Sequence, residues 1–91
     1  MKRIKTKQGY ITYITTAGEV MVLGGFGICD SCNNASEEGY LIPVLNRWHC
    51  EKCFREWESK AKYYPEDIRI ETRNAKYYES RLPVEEDSDD G

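Results

Sequence analysis

Four cysteines fall into two pairs of identical spacing, Cys29-x-x-Cys32 and Cys50-x-x-Cys53, with 17 residues between the pairs. A thiol can close a disulfide, cycle between redox states or, as thiolate, bind a soft metal ion. Two cysteines three positions apart in a tight turn bring both sulfurs to one side, where backbone N–H groups point at them. Two such pairs complete a tetrahedron of sulfur at about 2.3 Å per bond, the geometry of zinc. A redox role would need one pair behind a thioredoxin-like strand, and neither pair has that setting. The pattern therefore predicts one zinc ion held by Cys29, Cys32, Cys50 and Cys53. Four thiolates fill the coordination sphere and leave no position for a reacting water, so the zinc is expected to be structural and no catalytic residue is assigned.

Other side chains add little chemistry. His49 is the only histidine. It could replace Cys50 as a ligand or serve as an acid–base group, but Cys50 completes the better-spaced pair. His49 is expected on a strand beside the site, donating a hydrogen bond near it. Iron knuckles of the rubredoxin kind usually carry glycine after the pair, whereas Asn33 and Phe54 follow here. Residues 1–8 carry four cations (Lys2, Arg3, Lys5, Lys7) and residues 85–91 five anions (Glu85, Glu86, Asp87, Asp89, Asp90). The formal net charge is −3, and four thiolates on one divalent ion make the metal-loaded chain more acidic still. A dominant interaction with nucleic acid would call for the opposite balance.

The elements that must position the sulfurs follow from periodicity. Residues 10–23 are expected to form a β-hairpin, with β-branched and aromatic runs at Tyr10–Thr15 and Val20–Leu23 and a turn at Thr16-Ala17-Gly18-Glu19. Gly24-Gly25-Phe26-Gly27 makes a joint into the first cysteine pair. A second hairpin is expected over residues 39–49, turning at Asn46, with Pro43 placing that strand at an edge or a bulge. From Glu51, Phe54, Trp57, Ala61 and Tyr64 make a helical stripe that Pro65 stops. Residues 66–70 look extended. A second helix is expected over about 72–82, with Ala75, Tyr78 and Leu82 on one face and Pro83 at its end. The acidic tail from Glu85 is expected to be disordered. Trp48, Phe54 and Trp57 should pack around the metal. In Tyr63-Tyr64 and Tyr77-Tyr78 one ring of each pair should face solvent or a partner.

A chain of 91 residues buries little apolar surface and usually needs a staple. Its hydrophobic content is 40%, and no run approaches the roughly 18 apolar residues of a membrane span. The basic start lacks the apolar core of a signal peptide. These features predict a cytoplasmic protein, where reducing conditions favour metal ligation over disulfides.

The run Tyr40-Leu41-Ile42-Pro43-Val44-Leu45-Asn46-Arg47-Trp48-His49-Cys50-Glu51-Lys52-Cys53-Phe54 resembles the middle of a LIM domain. There a Cys-x-x-Cys knuckle leads to a hairpin, a Trp-His segment and a Cys-Phe. The order of knuckle, hairpin and helix, over about residues 27–64, looks like a treble-clef zinc finger. LIM domains place His-x-x-Cys in the third and fourth ligand positions and bind a second zinc. Here Cys50 supplies the third ligand and no cysteine follows Cys53, so the resemblance implies half of a LIM domain. The ββα-metal nucleases share a treble-clef frame but need a second metal-binding histidine, and no enzyme activity is expected. In length and layout the chain looks like small zinc-binding proteins of bacterial phages and mobile elements.

Together these readings predict a small α+β zinc-stabilised domain. Its parts are a basic arm and N-terminal β-hairpin (1–26), a four-cysteine treble-clef, LIM-like zinc core (27–64), a C-terminal helical extension (65–84) and a disordered acidic tail (85–91). The expected role is a non-catalytic zinc-binding module in protein–protein interaction or regulation. The alternative is nucleic-acid binding through Lys2, Arg3, Lys5, Lys7, Arg55, Lys60 and Lys62. No membrane association is expected. The chain is read as a monomer or, through an unpaired strand edge at 10–15, a homodimer.

Overall fold

The computed structural model describes residues 1–86. The acidic run 87–91 lies outside the described residues. The protein is α+β: a five-stranded sheet in the order β4-β3-β2-β1-β5 with helices packed on both faces. The first hairpin pairs β1 (Lys2–Lys5) with β2 (Ile11–Thr16) in antiparallel register, Arg3 opposite Tyr13 and Lys5 opposite Ile11. Its connection is closed by the Thr6 carbonyl accepting the Gly9 N–H at 2.9 Å, with Gly9 at φ 103°. The basic arm is thus a strand.

The hairpin expected over residues 10–23 does not form. After β2 the chain enters a helix, α1 (Ala17–Val22). Thr16 and Glu19 make a reciprocal capping box: Thr16 Oγ1 accepts the Glu19 N–H at 3.1 Å and Glu19 Oε1 accepts the Thr16 N–H at 2.9 Å. The Thr-x-x-Glu spacing satisfies two orphan donors, which a β-turn at the same residues would not do. Glu19 Oε2 also accepts from the Met1 ammonium at 2.9 Å. Burial alone would raise this carboxyl, but the ammonium and the Thr16 donors outweigh it and hold it below the usual carboxylate value. Such a group stabilises the fold fully above its unfolded pKa of about 4.3, and that contribution is lost as pH falls through the lower folded value. Glu19→Gln keeps a side chain able to close the capping box but loses the ion pair. It should cost about 1 kcal/mol at neutral pH, and urea titrations should show the difference from the parent vanishing in acid.

β2 pairs next with β3 (Glu38–Ile42), Tyr13 opposite Leu41 and Thr15 opposite Gly39. β3 pairs with β4 (Arg47–His49), Leu41 opposite Trp48. This second hairpin is the expected one, with Asn46 at φ 55° in its turn. β3 is nevertheless an interior strand. Pro43 avoids the ladder by lying just beyond Ile42, in the turn, where its missing N–H is not needed. The strand edge expected at 10–15 is absent as well, because β2 lies between β1 and β3.

α2 (Glu51–Lys60) follows β4 and stacks Phe54 on Tyr40, with ring centroids 4.2 Å apart and planes 4° from parallel. It stops at Lys60, before Pro65. Gln8 Nε2 donates to the Ala61 carbonyl at 3.1 Å, and the Tyr10 hydroxyl accepts the Tyr64 N–H at 3.1 Å. These contacts hold residues 61–64 extended against the first hairpin, so the expected stripe ends at Trp57 and Tyr64 stays exposed. Residues 66–70 are helical, not extended: a 3-10 turn over Pro65–Asp67 runs into α3 (Ile68–Arg81). Leu82, the residue before Pro83, caps α3 in extended conformation. The chain then adds β5 (Glu85–Glu86) parallel to β1, so the expected disorder does not begin at Glu85.

The core on the α3 side joins Tyr13, Leu41 and Trp48 from three adjacent strands to Val20 of α1 and to Ala75 and Tyr78 of α3. Tyr13 and Tyr78 meet edge to face at 6.0 Å. α3 also grips the second hairpin: Asn74 Nδ2 donates to the Pro43 carbonyl at 2.8 Å, and Tyr78 donates to Asn46 Oδ1 at 2.5 Å. α3 is therefore part of the main core. Among the described residues no helix is long and apolar enough to cross a membrane.

Candidate metal centre

The first cysteine pair sits on a loop that folds back on itself. Ile28 bridges Ala35, the Asn34 carbonyl accepts the Cys29 N–H at 2.9 Å, and the Cys29 carbonyl accepts the Asn33 N–H at 2.9 Å. Closing that turn puts Asn33 at φ 63°, the left-handed position glycine usually fills and asparagine tolerates. The turn directs N–H groups at sulfur: those of Ser31 and Cys32 lie 3.4 and 3.5 Å from Cys29 Sγ. The second pair straddles the start of α2, with Cys50 as its N-cap residue and Cys53 in its first turn. Free N–H groups and the positive end of the helix dipole there favour thiolate.

The ligand atoms of Cys29, Cys32, Cys50 and Cys53 all lie within 4.8 Å of one another, and the four cysteines are free thiols. Cys29 and Cys53 are buried, Cys50 is half-buried and Cys32 is exposed. This arrangement can hold a metal ion, and four sulfurs are a donor set for a soft or borderline cation. The electrostatics agree. Burial alone would raise the Cys29 thiol, but the N–H groups of Cys32, Cys50 and Ser31 outweigh it and bring it down. At Cys53 the Ser31 hydroxyl acts to lower the thiol, yet burial and the three neighbouring sulfurs push it up to about 12. The cluster thus holds one thiol lowered by N–H donors beside another raised by its sulfur neighbours.

His49 is on β4, as expected, but it is not one of the clustered ligands. Its ring is buried, and neither nitrogen has a hydrogen-bond partner among the described residues. The hydrogen bond expected from it is not made. Burial holds its pKa below the ordinary value, against the opposing charge of Asp30. Trp48, expected beside the metal, instead packs in the α3-side core and donates from Nε1 to Thr15 Oγ1 at 2.8 Å.

One positioning residue escaped the sequence reading. Asp30, between the cysteines of the first pair, docks that loop on the second hairpin. Its N–H donates to the Trp48 carbonyl at 2.8 Å, and its Oδ2 accepts the Trp48 N–H at 2.9 Å. This clasp fixes the distance between Cys29 and Cys50. Asp30→Ala leaves the Trp48 N–H without its acceptor, at a cost of about 1 to 3 kcal/mol, and should weaken metal affinity by about tenfold through the loosened loop. Asp30→Asn, which can still accept from Trp48, should stay near the parent. Competition with a chromophoric chelator reads both. No protein-family model, curated protein or solved structure matches the chain.

Proposed function

We propose that this protein is a non-catalytic module, folded around one structural zinc ion, that presents a fixed apolar surface to another protein. The observation that carries the reading is Phe26. It is 80% exposed on a loop held at both ends: the Val20 carbonyl accepts the Gly25 N–H at 2.9 Å, and the Gly27 carbonyl accepts the Ser36 N–H at 3.2 Å. A large aromatic held out in water by a pinned backbone, a few residues before the first metal ligand, suits an interface anchor.

Zinc is the metal we assign, because four sulfurs in a closed site suit its tetrahedral, redox-inert chemistry. Cys29, Cys32, Cys50 and Cys53 would hold it, and bound there it would supply a cross-link between the first loop and α2. The order of knuckle, β3–β4 hairpin and α2 supports the treble-clef, half-LIM reading, and a four-cysteine metal site accords with a reducing, cytoplasmic setting. A regulatory protein of a phage or mobile element is the setting we favour. Nucleic-acid binding has less support. Arg3 pairs with Glu79 at 3.2 Å and Arg55 with Glu51 at 3.0 Å, so two of its cations are already engaged.

Native mass spectrometry of protein purified without added metal tests the first half, with one zinc per chain expected. X-ray absorption should show four sulfurs, and a light-atom ligand would sink the closed-site assignment. Paired affinity purifications with the parent and Phe26→Asp test the second half. Partners should be retained by the parent and lost by the variant, and identical captures would remove Phe26 from the interface.

A further inference from the structure

Phe26 stands at one rim of a groove of about 650 Å³ between the Gly24–Gly27 loop and the outer flank of α3. Its floor is apolar, built from Val20, Leu23, Leu41 and Trp48, and its α3 wall carries Tyr77, which is 45% exposed. A concavity of this volume with an apolar floor suits an inserted apolar side chain.

Around the groove cations outnumber acids, three arginines to one aspartate. Arg47 lines it. The Arg81 guanidinium lies 4.9 Å from the centroid of the Tyr77 ring. Arg73 is one helical turn before Tyr77 and exposed on the same side of α3. None of these three arginines has an ion pair among the described residues. The carboxylates of α3 are used elsewhere: Glu71 accepts the Ile11 N–H at 2.6 Å, and Glu79 takes Arg3 and the Tyr13 hydroxyl. Asp30 is the one acid in the lining, and its Oδ2 is engaged by Trp48.

From this arrangement we infer that the groove binds a short acidic peptide segment of a partner protein, with an apolar side chain seated on the Leu41–Trp48 floor and flanking carboxylates on Arg47, Arg73 and Arg81. The inference rests on the protein-binding reading and names the chemistry of its partner. A long polyanion matches less well. The molecule as a whole carries a net charge of −3, which repels a nucleic acid beyond the reach of three local cations, whereas a short segment meets only the rim.

The test is selection from a phage-displayed library of random dodecapeptides against the zinc-loaded full chain. Enriched sequences should combine Asp or Glu with Leu, Phe or Trp. Their affinity, read by fluorescence anisotropy, should fall with added salt and drop at least about tenfold in the combined Arg47→Glu, Arg73→Glu, Arg81→Glu variant. Arg47→Glu alone, at an exposed residue without a side-chain hydrogen bond in the fold, gives the same readout at smaller amplitude should the triple variant misfold. Phe26→Ala should weaken the same peptides. The proposal is overturned by enriched peptides without acidic excess, by no enrichment, or by labelled oligothymidine binding more tightly than any selected peptide at equal salt. A Phe26-dependent dimer in sedimentation would also overturn it, since a second copy would then fill the groove. Failure here together with Phe26-dependent capture of a partner would leave the broader reading standing and remove only the acidic specificity.

Discussion

Replacing Cys53 by serine should yield a chain that retains no zinc through native mass spectrometry and loses its near-ultraviolet dichroism. Cys53 is buried in the first turn of α2, and its sulfur lies within 4.8 Å of the other three ligand atoms. A hydroxyl has little affinity for zinc at neutral pH, so the site would keep three ligands in place of four. Structural zinc contributes roughly 10 to 16 kcal/mol in small modules, against a total stability of about 5 to 15 kcal/mol for a typical domain. The two quantities are of the same size, so losing the ion removes most or all of the margin. Chelation of the parent should give the same spectrum, and returning zinc should restore the parent but not the variant. A Cys53→Ser protein with unchanged near-ultraviolet signal would show that the sheet stands without the metal, and the cysteines would then need another explanation.

Gly39→Ala should be the most damaging single methyl in the protein. Gly39 lies on β3 opposite Thr15, and the Trp48 indole leans across it to reach Thr15 Oγ1. A Cβ at Gly39 would meet Trp48 Cε2 at 2.6 Å, Cζ2 at 2.7 Å and the His49 carbonyl oxygen at 2.7 Å. The indole can move only by leaving the core or by giving up its hydrogen bond, and the carbonyl belongs to the backbone of β4. Overpacking of this kind costs about 1 to 3 kcal/mol, and the lost indole bond adds about 1 kcal/mol. The midpoint of urea unfolding should fall accordingly, with tryptophan emission shifted to the red. Gly9→Ala is the control. A Cβ there meets nothing within 4 Å, so its cost is only that of a left-handed backbone, about 1 kcal/mol.

The cysteine cluster could be read directly because its signal is local: two sulfurs three residues apart make a knuckle whatever surrounds them. The second hairpin was legible for a similar reason, with Asn46 marking its turn. The failures share a different cause. Val20-Met21-Val22 has strand composition, yet the Thr16–Glu19 capping box starts a helix there, and Met21 and Val22 both remain exposed. Ile68 and Ile70 alternate like a strand, but at 52% and 42% exposure neither packs, so the alternation carried no burial information. β1 was hidden by its lysines, which are tolerated because the strand needs only its backbone to join β2 and β5. Asp30 was invisible because its partner, the backbone of Trp48, is 18 residues away.

The clasp between Asp30 and Trp48 has a consequence for how the protein fails. β4 ends the sheet on one side, and its open flank is where a stray strand from another molecule could add on. The metal loop occupies that flank through two backbone contacts at Trp48. Without an ion across the four cysteines the loop would have less to hold it, and the N–H and C=O of Trp48 would be offered to whatever is near. At high concentration stripped protein should therefore aggregate as it loses structure, and recovery on adding zinc should worsen as protein concentration rises.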